Sequence, residues 1–262
     1  MERFSRALEL ARGNRSGSID PDRNVRPDGF DPFKPATVTL AADPELLSSR
    51  HVLSPSAGGP HAAPYKLLRT QVLQRLDQLG VNTLAVIGAQ EGHGASLTAT
   101  NLAIAIAADH GRRAVLVDLN LRTPGIHTLL GIAPPVGLDT CLPDARPVAE
   151  ATVALEGYED LIVLPTLAPI VHSSELLSSR VVADLVQDLQ EHTRDCIAVF
   201  DLPPALAADD VLAFSRIVST GLLVVSEGST LRDDISKTIE LLGEMTLIGT
   251  VLNASREPVR SR

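Results

Sequence analysis

Tryptophan is absent from the 262-residue chain, and all aromatic residues together make up only 3% of it. The core must therefore be assembled from Leu, Val, Ile and Ala, the residues of parallel sheets buried on both faces. Lysine is scarce as well: Lys34, Lys66 and Lys237 are the complete set, so a phosphate site here has few ammonium groups to draw on. Neither of the two cysteines, Cys141 and Cys196, sits in metal-ligand spacing, which points to a reducing cytoplasm. The start, MERFSRALELARGNRSG, lacks the apolar core of a signal peptide. No apolar run reaches the roughly 18 residues of a membrane span. The expectation is a soluble cytoplasmic protein that reaches the inner membrane only through a partner. A net charge of −9 disfavours nucleic acid as that partner.

With 44% hydrophobic and 21% charged residues, the chain can fill one large domain plus a tail. Phe4, Ala7, Leu8 and Ala11 fall at helical spacing and predict a short amphipathic helix over 2–12. Marginal on its own at that length, it is either a docking helix or a frayed end. Residues 13–62 are rich in Pro, Gly, Asp and Ser and read as a linker with at most one short strand, at 37–40. This divides the chain into an N-terminal segment (1–62), a domain (63–255) and a tail (256–262).

Within the domain, strand and helix patterns alternate. Helices are predicted over 64–79, 95–109, 174–191 and 231–243. Strands are predicted over 82–88, 114–118, 161–164, 197–201, 222–226 and 247–252. Short buried strands between amphipathic helices imply an α/β fold with a mostly parallel sheet and helices on both faces. Ligands bind such sheets at the carboxyl ends of the strands.

Between the first two of these domain elements after helix 64–79 lies Ala89-Gln90-Glu91-Gly92-His93-Gly94-Ala95-Ser96. Its spacing fits a phosphate-binding loop, with Ala95 where the lysine belongs. Gly92 and Gly94 let backbone N–H groups turn toward an anion, and the following helix N-terminus adds partial positive charge. Ser96 is placed to ligate Mg²⁺. Taken alone, the loop reads equally as a plain tight turn.

Other motifs follow in order: Tyr65-Lys66-Leu67-Leu68-Arg69-Thr70, Thr100-Asn101-Leu102-Ala103-Ile104-Ala105, Val117-Asp118-Leu119-Asn120-Leu121-Arg122-Thr123-Pro124, Ser174-Glu175-Leu176-Leu177-Ser178-Ser179, Val199-Phe200-Asp201-Leu202-Pro203-Pro204 and Gly249-Thr250-Val251-Leu252-Asn253. With the loop, they resemble the bacterial tyrosine kinases of capsule and exopolysaccharide loci, relatives of the MinD/ParA ATPases with a P-loop NTPase fold. The resemblance implies ATP and Mg²⁺ as cofactors, with their binding expected to be weakened or lost here. It implies Asp118, Asn120 and Asp201 as a degenerate catalytic set, and Ser96, Asp118 and Asp201 around the metal. Gly92, His93, Gly94, Ala95, Ser96, Leu97, Arg122 and Asn253 would surround the nucleotide, Asn253 at the base. A strand-end Asp can also merely cap the next helix.

Four departures from the family pattern matter. Ala95 removes the phosphate-facing ammonium. Asn120 replaces an acidic residue. No tyrosine cluster stands at the C-terminus, since Tyr65 and Tyr158 are the only tyrosines. Ala63 replaces the glutamate of the family's E-x-x-R-x-x-R stretch, otherwise Lys66 and Arg69 here, which puts the family's ring-shaped oligomer in question. His93 could lend positive charge, although an exposed loop histidine is the plainer reading. Three functions stay open. The first is a catalytically impaired regulator binding the cytosolic part of a polysaccharide chain-length co-polymerase, with or without nucleotide and with or without self-association. The second is a working tyrosine autokinase, and the third is a MinD/ParA-like positioning ATPase.

Overall fold

The computed structural model describes residues 30–34, 36, 38–59, 61–191, 196–207, 209–243 and 245–255. The helix predicted over 2–12 and the tail 256–262 lie outside these residues. Among the described residues, one sheet contains β1 (Val38–Leu40), β2 (Thr83–Gly88), β3 (Arg113–Asp118), β4 (Val153–Leu155), β5 (Leu161–Leu164), β6 (Cys196–Asp201), β7 (Thr220–Ser226) and β8 (Thr246–Asn253). Their spatial order is β1-β4-β5-β3-β6-β2-β7-β8. Every neighbouring pair is parallel except β4 and β5.

The central strands are buried along their whole length, as the continuous runs TLAVIG and CIAVFD require. Side chains alternate between two cores. Leu84 and Val86 pack into one, which also holds Leu76, Leu102 and Ile106. Ala85 and Ile87 enter the other, with Phe200, Leu185 and Phe214. Helices cover both faces. Those that matter here are α1 (Pro44–Ser49), α2 (Ala62–Leu79), α3 (Ala95–Ala107), α4 (Ile126–Leu130), α5 (Leu138–Cys141), α6 (Ser173–Leu177), α7 (Arg180–Glu191), α8 (Asp210–Ser215) and α9 (Arg232–Leu241). None of the described helices is long and apolar enough to cross a membrane.

Two sequence expectations change. The helix predicted over 174–191 is broken into α6 and α7. Ser178 Oγ turns back onto the carbonyls of Ser174 and Glu175, so local side-chain bonding competes with the helix at the Ser178-Ser179 pair. The stretch predicted as linker does contain the short strand, but its second half also belongs to the core. Leu47, Val52, Leu53 and Ala57 are buried. The buried Asn101 of α3 accepts from the Leu53 amide at 2.9 Å and donates to the His51 carbonyl at 2.9 Å. Tyr158 donates its hydroxyl to the Leu53 carbonyl at 2.9 Å. A Pro/Gly-rich composition hid this because the strap is held by side chains about 50 and 105 positions away.

Candidate functional site

The segment 89–94 leaves β2 and enters α3 at the carboxyl edge of the sheet. Gly92 (φ 75°) and Gly94 (φ 83°) adopt left-handed backbone there. The loop, Ser96 and Leu97 line a cleft of about 370 Å³ with Asn120, Thr123, Leu202 and Pro204. Among the described residues, no Lys or Arg lines it. A second cavity of about 480 Å³, also lined by Leu97, extends past Asn253 to Tyr65, His51 and His61.

Asp118 and Asp201 end neighbouring strands in direct register, and both are fully buried. Asp118 accepts from the amides of Asn120 (3.2 Å), Gly125 (3.2 Å) and Ile126 (3.1 Å). Burial first, and the Asp201 carboxylate second, push Asp118 well above the usual carboxylate range against those amide bonds. Burial pushes Asp201 up to about 7. The Ser96 hydroxyl offsets part of that rise, without completing a well-formed hydrogen bond, and neither Asp201 oxygen has a partner. A buried orphan carboxylate, a second carboxylate beside it and a nearby hydroxyl make an all-oxygen donor set. Such a set fits Mg²⁺, a hard cation that keeps several waters of its own.

The remaining sequence candidates have definite positions. Asn120 lines the cleft, and its Oδ1 accepts from the Thr123 amide (3.3 Å) and hydroxyl (3.1 Å), shaping the turn after β3. Arg122 is bound in a fork by Asp210, at 2.9 and 3.0 Å, and is not among the cleft-lining residues. Ser173 donates to the same Asp210 carboxylate at 2.8 Å. Asn253 donates to the His93 carbonyl at 3.0 Å, and its amide packs so tightly on Gly94 that a Cβ there would collide with it. His93 is buried, at 5% exposure, so the reading as an exposed loop histidine is corrected. Its Nδ1 accepts from the Gln90 amide at 3.3 Å and lies 3.2 Å from Thr230 Oγ1. Sequence reasoning missed Asp210, Ser173, Thr230 and Asp234. They lie far along the chain from the residues they hold, and no spacing signal could have found them.

Gly94→Ala is expected to combine left-handed strain with the Asn253 collision and to lower stability by about 1–3 kcal/mol. Chemical denaturation read by circular dichroism checks this.

Comparison with known proteins agrees with this geometry. The ParA family model, described as NUBPL iron-transfer P-loop NTPase, matches residues 81–258. The tyrosine-protein kinase YwqD of Bacillus subtilis (strain 168) is 28% identical over 199 residues, covering 73% of this chain and 80% of YwqD. The succinoglycan biosynthesis transport protein ExoP of Rhizobium meliloti (strain 1021) is 29% identical over 177 residues, 65% of this chain but 22% of ExoP. The chain spans only about a quarter of the length of several other curated relatives. Among solved structures, the chimerical protein CapA2B2 superposes with a TM-score of 0.70 at 25% identity, covering 85% of this chain and 95% of that one.

Proposed function

Because the chain belongs to the ParA-like P-loop NTPases, we propose that it is a tyrosine-kinase-like protein of polysaccharide biosynthesis whose phosphoryl transfer is impaired and whose role is regulatory. The partner in this reading is the cytosolic part of a chain-length co-polymerase at the inner membrane. The similarity to YwqD and ExoP supports the setting. One observation carries the impairment: among the described residues, the cleft is lined by the loop, Ser96 and Asn120 and by no Lys or Arg.

Phosphoryl transfer depends on positioning and on neutralising charge at the transferring group. Loop amides can orient phosphates, but without a side-chain cation they supply little of the needed charge. Losing one preorganised donor typically lowers rates ~10²–10³-fold, and a full cation should count for at least as much. Ser96, Asp118 and Asp201 would hold Mg²⁺, which when bound offsets phosphate charge. Asp118, if deprotonated, is the candidate acceptor for a hydroxyl proton. An acceptor tyrosine within the chain is also in short supply. Tyr158 is buried, bonded to a carbonyl and pushed up to about 12 by burial.

Incubating the purified protein with labelled Mg-ATP is expected to leave no label above that of an Asp118→Asn, Asp201→Asn control. Strong labelling lost in that control would instead establish a working autokinase, the reading favoured by retention of both aspartates. Restoring the missing groups by Ala95→Lys with Asn120→Asp is expected to raise Mg-ATP affinity at least tenfold by calorimetry, the size of one charge-assisted hydrogen bond. Unchanged affinity would count against a nucleotide site.

A further inference from the structure

The loop is tied down on the side away from the paired aspartates. Gln90 donates through Nε2 to Asp234 Oδ2 at 2.6 Å. Asn253 donates to the His93 carbonyl. The third tie runs through Thr230, whose Oγ1 accepts from the Ser226 amide at 2.8 Å and lies 3.2 Å from His93 Nδ1. A hydroxyl has one proton. With Ser226 donating into Thr230, that proton is free to go to His93. The single lone pair of His93 Nδ1 is then shared between the Gln90 amide at 3.3 Å and the Thr230 hydroxyl at 3.2 Å. The ring thus acts as a wedge that joins the loop to the segment after β7.

We infer that His93 and Thr230, with Gln90–Asp234 alongside, form a positioning brace that holds the loop amides ready for an anion. None of these groups serves as a replacement cation. The inference rests on the nucleotide reading for its ligand but not for its mechanics. In a loop with a lysine, the bound phosphate can help to shape the cradle through that side chain. Here the shape must come from the protein itself, and the three ties supply it before any ligand arrives.

Thr230→Val keeps the side-chain shape and removes the hydroxyl, while Thr230→Ser keeps the hydroxyl. Hydrogen exchange is expected to quicken about five- to tenfold at amides 90–95 in the Val protein, the size of one lost hydrogen bond, with β3 and β6 unchanged. The Ser protein should exchange like the parent. Mg-ADP affinity by calorimetry should fall by a similar factor in the Val protein and be restored in the Ser protein. Gln90→Met, at an exposed position where folding is not at stake, should quicken the same amides. Unchanged exchange at 90–95 in both the Val and Met proteins, or a Ser protein that behaves like Val, would overturn the brace. If the parent binds no Mg-ADP while exchange responds as described, the nucleotide reading fails and the brace stands.

Discussion

Arg122→Ala is expected to destabilise the protein by about 3 kcal/mol, one of the two largest effects foreseen for a single side chain. Its partner Asp210 is fully buried, and a buried carboxylate stripped of its cation typically costs ~3–5 kcal/mol. The lower end applies because the Arg122 side chain is 45% exposed and water already screens one side of the pair. The Ser173 hydroxyl would remain as a donor to Asp210 in place of the fork. Urea denaturation measures the loss. Adding Asp210→Asn to Arg122→Ala should recover most of it, since the uncompensated charge disappears. A single mutant as stable as the parent would mean that Asp210 finds another cation. For Arg122 to swing into the cleft as a substitute cation, it would have to abandon Asp210 at that cost. The fork joins the turn after β3 to α8, and that turn carries the cleft-lining Asn120 and Thr123.

Asp201→Asn is expected to stabilise the ligand-free protein at pH 8.5 and to remove Mg²⁺-dependent nucleotide binding. An acid raised by folding binds more protons in the folded than in the unfolded state. Its contribution therefore turns unfavourable as pH climbs from the ordinary value of 3.8 to about 7. At 1.36 kcal/mol per pH unit, the penalty above that window is on the order of 4 kcal/mol. The ligand-free protein should thus lose stability between about pH 4 and 7, and Asp118, raised for the same reasons, should add to the loss. The asparagine leaves a neutral amide with imperfect partners, which costs ~1–3 kcal/mol. The net gain should then be about 1–3 kcal/mol at pH 8.5 and absent at pH 4. Thermal melts across this range give the comparison. Mg²⁺ should raise the melting temperature of the parent at pH 8.5 but not that of the variant. A variant less stable than the parent at pH 8.5 would show that Asp201 is already compensated.

Much of the fold was legible because short apolar runs such as TLAVIG and CIAVFD are long enough for a buried strand and too short for a helix. The site was legible to the extent that it is local. The loop, Ser96 and the two strand-end aspartates each belong to a contiguous motif, and parallel strands deliver their carboxyl ends to one edge. The helix break at Ser178 is also local in origin, yet a periodic pattern continues across it, which is why helical spacing alone missed it.

From the sequence alone follow the α/β class, the positions of Asp118 and Asp201 at strand ends, and the absence of a lysine from the loop, because each depends on residue order within one short segment. Only the tertiary structure decided what Arg122, His93 and Asn253 do. Each is held by a group 88 to 160 positions away or holds one. A side chain with several possible partners takes its role from whichever one the fold brings within hydrogen-bond reach, and burial then makes that choice costly to undo.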